Sequence, residues 1–332
     1  MKKVLIPLSI LLMGIAGCAR KTVPAVSRVE QLKAERQAAL NNENTAKNTK
    51  SKKHKNKETA SVAENNAVAN IVHFDSSKYV DSAFANYTYE TLAQAYADTI
   101  AQNPNLNDPT LNYTKDFFGA VNFNMRKPNF VIIHHTSQNS VDETLHTFML
   151  ERTQVSAHYL IGRDGSIHHL VNDYLRAWQA GSGKWGNITD MNSCSVGIEL
   201  DNDGYGPFSD AQINSLVAVL TSLKKRFGIP QANFIGHADF APTRKNDPNV
   251  NFPWKALSDK GFGLWWSDTT NVQVPQDFNE FQALRIIGYD VRDVTKAVIA
   301  FRRHFCSVES AAKMLSPGER KVLYCLYSKY MY

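Results

Sequence analysis

Four apolar residues in a row, Phe130-Val131-Ile132-Ile133, run straight into a pair of histidines, His134-His135. An apolar run of that length reads as a buried strand. Alternation sets Phe130, Ile132 and His134 on one side of it and Val131, Ile133 and His135 on the other. One imidazole of the pair can therefore face a site at the strand's C-terminal end. A lone histidine in such a place is more often a satisfied structural residue than a ligand.

The segments that follow alternate between strand and helix. Ser140-x-x-Glu143 is a capping box that opens a helix carrying Leu145, Phe148 and Met149. His158 to Gly162 and Ser166 to Val171 flank Arg163-Asp164-Gly165, a hairpin turn. Cys194 to Leu200 reads as another strand, as does Asn233 to His237. Between them Ile213, Leu216, Val217, Leu220 and Leu223 keep helical spacing after Ser209-x-x-Gln212 and before Gly228. Mixed this way, strands and helices predict an α/β layered domain over roughly 72–270. Order should begin near Val72 to Tyr79, and Tyr89, Leu92, Tyr96 and Ile100 are spaced like one helix face. A connector at 271–276 leads to three short helical patterns, Phe278 to Ile287, Arg292 to Phe305 and Pro317 to Tyr330, which make a small all-α module.

The first residues are of another kind. Lys2 and Lys3 precede an uncharged, mostly apolar segment that ends in Ile15-Ala16-Gly17-Cys18, the pattern of a signal peptide over 1–17. The tetrapeptide resembles a bacterial lipobox, which implies cleavage before Cys18 and lipidation of its thiol, so that lipid chains anchor the chain to a membrane surface. Residues 18–70, with no Phe, Tyr or Trp, read as a flexible basic linker. The basicity is confined there. Residues 19–60 carry eleven Lys or Arg against four Asp or Glu, and residues 61–332 carry twenty-four against twenty-seven. A nucleic-acid-binding fold carries its positive patch on the fold itself, so that class is set aside. With 43% hydrophobic residues the chain is not wholly disordered, and with four cysteines it is no disulfide-stapled mini-protein.

Three further residues can carry chemistry. His237 ends the apolar run Asn233-Phe234-Ile235-Gly236, and Asp247 follows in Lys245-Asn246-Asp247-Pro248. Two histidines and a carboxylate at element ends can build a three-ligand zinc site with an open fourth position. Asp247 can equally be the start of an Asp-Pro turn. Glu199, alternating with Val196, Ile198 and Leu200, lies on the polar side of its strand: either buried or facing a cleft, where burial raises its pKa toward the range of a general base, or merely on the outer face of an edge strand. His158, His168 and His169 read as structural. Trp178, Trp185 and Trp254 can line a sugar cleft or fill the core, and a Cys306–Cys325 bridge is open.

Four segments make the chain recognisable: Val131-Ile132-Ile133-His134-His135-Thr136, Ser156-Ala157-His158-Tyr159-Leu160-Ile161, Val196-Gly197-Ile198-Glu199-Leu200-Asp201-Asn202, and Gly236-His237-Ala238-Asp239-Phe240-Ala241-Pro242-Thr243-Arg244-Lys245-Asn246-Asp247-Pro248. Together, over about residues 128–270, they resemble the type 2 N-acetylmuramoyl-L-alanine amidases, the family of AmpD, AmiD and the peptidoglycan recognition proteins, and within it the AmiD lipoprotein branch. The terminal helices, 271–332, are similar to the peptidoglycan-binding module of that branch. The resemblance implies a central, mainly mixed β-sheet flanked by helices in a catalytic domain spanning 71–270. It also implies one zinc ion per chain on His134, His237 and Asp247, with Glu199 as proton carrier and Lys245 beside the metal. Ala157 stands where recognition proteins often have Tyr, which leaves the proton work to Glu199. Gln179 stands where the family usually has His.

The implied reaction is hydrolysis of the amide between the lactyl group of N-acetylmuramic acid and the L-alanine of the stem peptide, in cell-wall turnover. Implied partners are peptidoglycan or muropeptide fragments and a membrane reached through the lipid anchor, with no nucleic acid. The implied setting is the cell envelope, on the outer membrane facing the periplasm, as a monomer. The competing reading is a non-catalytic peptidoglycan-binding or sensing lipoprotein. A stem-peptide zinc peptidase is disfavoured because no His-Glu-x-x-His occurs.

Overall fold

The apolar run at 130–133 does become a strand buried along its whole length, and the rest of the sheet assembles around it. The strands are β1 (Phe130–His135), β2 (Tyr159–Ile161), β3 (Ile167–His169), β4 (Ser195–Leu200) and β5 (Phe234–Gly236), in the spatial order β3-β2-β4-β1-β5. β1 runs parallel to β4 and β5, β2 runs parallel to β4, and only β3 is antiparallel. The sheet is mixed, as the resemblance implied. This computed structural model describes residues 82–101, 120, 122 and 124–331. The signal segment 1–17, Cys18, the basic linker and the expected onset of order at Val72 to Tyr79 lie outside them. No helix among the described residues is long and apolar enough to cross a membrane.

Alternation divides the strands between two cores. Val131, Ile133, Val196, Ile198 and Leu200 pack against Leu216, Leu220 and Leu223 of one helix, Asp210–Phe227. Phe130, Ile132 and Ile235 face the other way and join Trp185, Leu284, Phe301 and Leu323, so the C-terminal helices cover the second face. Both layers are apolar and buried, which is the driving force that sandwiches the sheet.

The helices, taken in chain order, are α1 (Ser82–Ala101), α2 (Val141–Met149), α3 (Met191–Cys194), α4 (Asp210–Phe227), α5 (His237–Phe240), α6 (Trp254–Asp259), α7 (Glu280–Ile287), α8 (Val294–Cys306) and α9 (Pro317–Met331). Their ends follow the capping chemistry. Ser140 Oγ accepts from Glu143 N, and Ser209 Oγ accepts from Gln212 N. The return half of the expected box is displaced by one residue, since Glu143 accepts from Asn139 N. Gly228 ends α4 at φ +65°, where its N–H bonds back to Lys224 O.

Three expectations shift. The hairpin strands are three residues each, shorter than the sequence suggested, because Leu170 and Val171 donate back to His158 O instead of extending the ladder. β5 stops at Gly236, and His237 opens α5, with Asp239 accepting from Gly236 N. Helix α1 forms where its spacing predicts, yet Tyr89, Leu92, Tyr96 and Ile100 are all exposed. Periodicity decides which residues share a face and says nothing about whether a partner covers it.

Candidate active site

The strand ends bring the site together. His134 is on β1, Glu199 pairs with it in register on β4, and His237 follows the last residue of β5. All three lie at the carboxyl ends of parallel strands, where open α/β sheets form their clefts. Residues in register on parallel neighbours point to the same side, so His134 and Glu199 share the face that carries Ile132. The loop after α5 returns Asp247 to this point, with Ala238 N donating to Asp247 O.

His134 Nδ1 lies 2.9 Å from His237 Nδ1 and 3.0 Å from Asp247 Oδ2, and His237 Nδ1 lies 3.0 Å from the same oxygen. All three residues are buried. The outer ring nitrogens are committed elsewhere. His134 Nε2 faces Gln179 Oε1 at 2.6 Å and must donate; His237 Nε2 lies 2.9 Å from the Ala180 carbonyl and 3.3 Å from Arg244 Nη2, and the shorter contact makes it a donor too. Three lone-pair atoms therefore converge on one point, which only a positive charge can satisfy: a proton on His134, or a metal cation that displaces it. Two neutral imidazoles and a carboxylate suit zinc.

The electrostatics agree. Burial alone would raise Asp247, but the His237 imidazole and the hydrogen bonds from both histidines outweigh it and hold the carboxyl well below the usual range. Burial drives His237 down to about 4. For His134 burial pulls down, while Glu199, Asp247 and Gln179 push up and prevail. Glu199 is pushed up to about 7, chiefly by burial, against the opposing pull of His134. Its Oε2 is buried with no hydrogen-bond partner among the described residues.

Above these groups opens a cleft of about 350 Å³ lined by Glu199, His237, Lys245 and Asp247, with Phe148, Val155 and Trp178 along the rim. Lys245 is half-buried there. Trp178 is 53% exposed on this rim, whereas Trp185 and Trp254 are buried and serve the core. His135 is on the other face, its Nδ1 accepting from Asn249 N. His158 is buried, accepting from Gly197 N and donating to Leu175 O. His169 stacks on Tyr159 at 4.4 Å in the hairpin. Cys194, Cys306 and Cys325 are free thiols, so the Cys306–Cys325 bridge is not made.

Sequence reasoning missed the strap that holds both imidazoles. Gln179 N and Ala180 N donate to Asn192 Oδ1, and Arg244 donates to Ala180 O and Ser182 O. No periodic signal marks this segment. Asp239 was missed too: it accepts from Tyr289 Oη at 2.8 Å and lies 2.7 Å from His304 Nδ1, tying α5 to the C-terminal helices.

Comparison with known proteins places this geometry. The sequence profile described as N-acetylmuramoyl-L-alanine amidase matches residues 124–250. The N-acetylmuramoyl-L-alanine amidase AmiD of Escherichia coli (strain K12) is 33% identical over 207 residues, covering 53% of this chain and 74% of the relative. The 1,6-anhydro-N-acetylmuramyl-L-alanine amidase AmpD of Enterobacter cloacae is 34% identical over 145 residues, covering 39% of this chain and 78% of that protein. Among solved structures, E. coli AmiD in complex with the substrate anhydro-N-acetylmuramic acid-L-Ala-D-gamma-Glu-L-Lys aligns with TM-score 0.56 at 27% identity, over 64% of this chain and 93% of that one. AmpDh3 from Pseudomonas aeruginosa in complex with anhydromuramic pentapeptide aligns with TM-score 0.56 at 25% identity, over 66% of this chain and 99% of that one. The fold, the parallel strand ends and these likenesses together show that the chain belongs to the type 2 N-acetylmuramoyl-L-alanine amidases.

Proposed function

We propose that this chain is a zinc amidase that cuts the bond between the lactyl carbonyl of N-acetylmuramic acid and the nitrogen of L-alanine. The near-equilateral triangle of lone-pair atoms on His134, His237 and Asp247, beside a Glu199 carboxylate whose Oε2 has no hydrogen-bond partner among the described residues, carries the reading. These three residues would hold one zinc ion, and zinc bound there supplies Lewis-acid polarisation and a more acidic water. Glu199 takes a proton from the attacking water and returns it to the departing nitrogen. Burial pushes the Glu199 carboxyl upward, the direction that suits a group that must both accept and return a proton. The Lys245 ammonium on the cleft wall opposes the negative charge that grows on the carbonyl oxygen. Trp178, Val155 and Phe148 offer an apolar rim to the sugar or the peptide.

The substrate class is peptidoglycan or its muropeptide fragments, in keeping with the anhydromuramyl peptides bound by the AmiD and AmpDh3 structures. In the same reading residues 71–270 form the hydrolase, helices in 271–332 add a peptidoglycan-binding surface, and Cys18 carries lipid that anchors a monomer to the outer membrane facing the periplasm. The lipobox-like tetrapeptide supports the anchor, and the relation to the amidase AmiD supports the hydrolase.

Incubation with purified muropeptides, followed by mass analysis, tests the reading. The expected products are a muramic-acid glycan and an intact stem peptide, abolished by chelator and restored by zinc. Cleavage within the stem peptide, or no cleavage with zinc present, would overturn it.

A further inference from the structure

We infer that Gln179 is a positioning residue for the metal: its amide oxygen selects the tautomer in which His134 presents Nδ1 to the triangle. The inference rests on the zinc reading above and gives Gln179, which also lines the cleft, a role that acts through His134.

The amide has only one orientation. Ser195 Oγ donates to Met191 O at 2.5 Å, so the same oxygen must accept from Gln179 Nε2, at 2.8 Å. That leaves Oε1 against His134 Nε2 at 2.6 Å. A carbonyl oxygen only accepts, so the Nε2 proton is held there and the Nδ1 lone pair is turned inward. Space for this amide exists because β4 carries glycine at 197. A Cβ there would lie 2.3 Å from Gln179 Cγ and 2.7 Å from its Cδ. The backbone beneath the side chain is pinned as well, by Asn192 Oδ1.

Nothing in packing alone requires this chain of bonds. A methionine of similar length would fill the same slot over Gly197, but its thioether is a weak acceptor and has no donor for Ser195. The His134 ring would then be free to rotate or to exchange tautomers, and the metal would have to select the competent form at each binding event. Groups that hold a ligating imidazole in this way typically change metal affinity by roughly 10–100-fold.

The test is zinc affinity, measured by competition with a chromophoric chelator, for the wild type, Gln179→Met and Gln179→Glu, with thermal unfolding of each metal-free protein as a check on folding. Gln179→Met is expected to bind zinc roughly 10–100-fold more weakly with its fold intact. Gln179→Glu, which keeps an acceptor, is expected to stay within a few-fold of wild type. Wild-type affinity in the methionine variant, or equal losses in both variants, would overturn the role. Nitrogen-15 spectra of the wild-type imidazoles need no variant: His134 should carry its proton on Nε2, and a proton on Nδ1 alone contradicts the inference even if the substitutions fail to fold. A wild-type protein that binds no zinc would instead defeat the metal reading, while the spectra would still report on Gln179.

Discussion

The two faces of one sheet do opposite work with the same strands. On one, Val131, Ile133, Val196, Ile198 and Leu200 meet α4 chiefly through apolar contact, with Gln212 bonded to the Ile161 and Asp201 carbonyls at its start. On the other, beyond the apolar patch of Phe130, Ile132 and Ile235, the side chains of His134, Glu199 and His158 and the backbone of Gly197 make a region whose polar groups are tied by hydrogen bonds, apart from the open carboxylate oxygen of Glu199. The first face stores stability that depends on volume. The second stores orientation that depends on individual atoms. Substitutions should therefore separate the two properties, and each experiment below asks whether they do.

The largest effect is expected at Glu199. Glu199→Gln keeps the shape and removes the proton carrier, so turnover of muropeptides should fall by about 10²–10⁴-fold while zinc affinity and unfolding midpoint stay near wild type. A variant with full activity would dissolve the division at its chemical end. Next comes the apolar face. Leu220 is fully buried against the strands, and Leu220→Ala should cost about 2–5 kcal/mol in urea unfolding. Activity per folded molecule should be retained. A large loss of catalysis in the folded protein would show that the faces are coupled more tightly than the geometry indicates.

A smaller effect sharpens the polar face. Burial drives His158 down to about 4, and it is held neutral between Gly197 N and Leu175 O. Its folded pKa lies below the unfolded value of about 6.5. The stability it contributes is therefore full above that pH and is lost as pH falls toward 4, by about 2 kcal/mol at pH 5. Urea unfolding of metal-free wild type and His158→Gln between pH 7.5 and 5 should show a shallower acid loss in the variant. Parallel curves would mean that the histidine carries no such penalty.

These contrasts also explain what could be read before any coordinates. Both faces of β1 followed from alternation at residues 130–135, and the caps Ser140, Ser209 and Gly228 mark their helices through local bonds. His134, His237 and Glu199 were visible because each closes or interrupts an apolar run, and Asp247 as a carboxylate ten residues after His237, although its place before proline allowed a simple turn. Asn192 and Arg244 carried no such mark, and Gln179 stood out only as a departure from the histidine usual in the family it resembles. Their partners are loop carbonyls and amides brought near by the fold, and no local pattern encodes that meeting. The same holds for Asp239, whose partners Tyr289 and His304 come from the far end of the chain. The exposed stripe on α1 is the reverse case, a clear pattern with no core behind it.

That distant pair has a practical meaning. Asp239 sits two positions after His237, and Tyr289 and His304 are its distal supports. A premature stop codon or a proteolytic nick ahead of α7 would strip both supports away and leave a carboxylate stranded under the catalytic floor. Damage to the tail of this molecule is thus expected to reach the segment that carries His237, however remote the two look on a gene map.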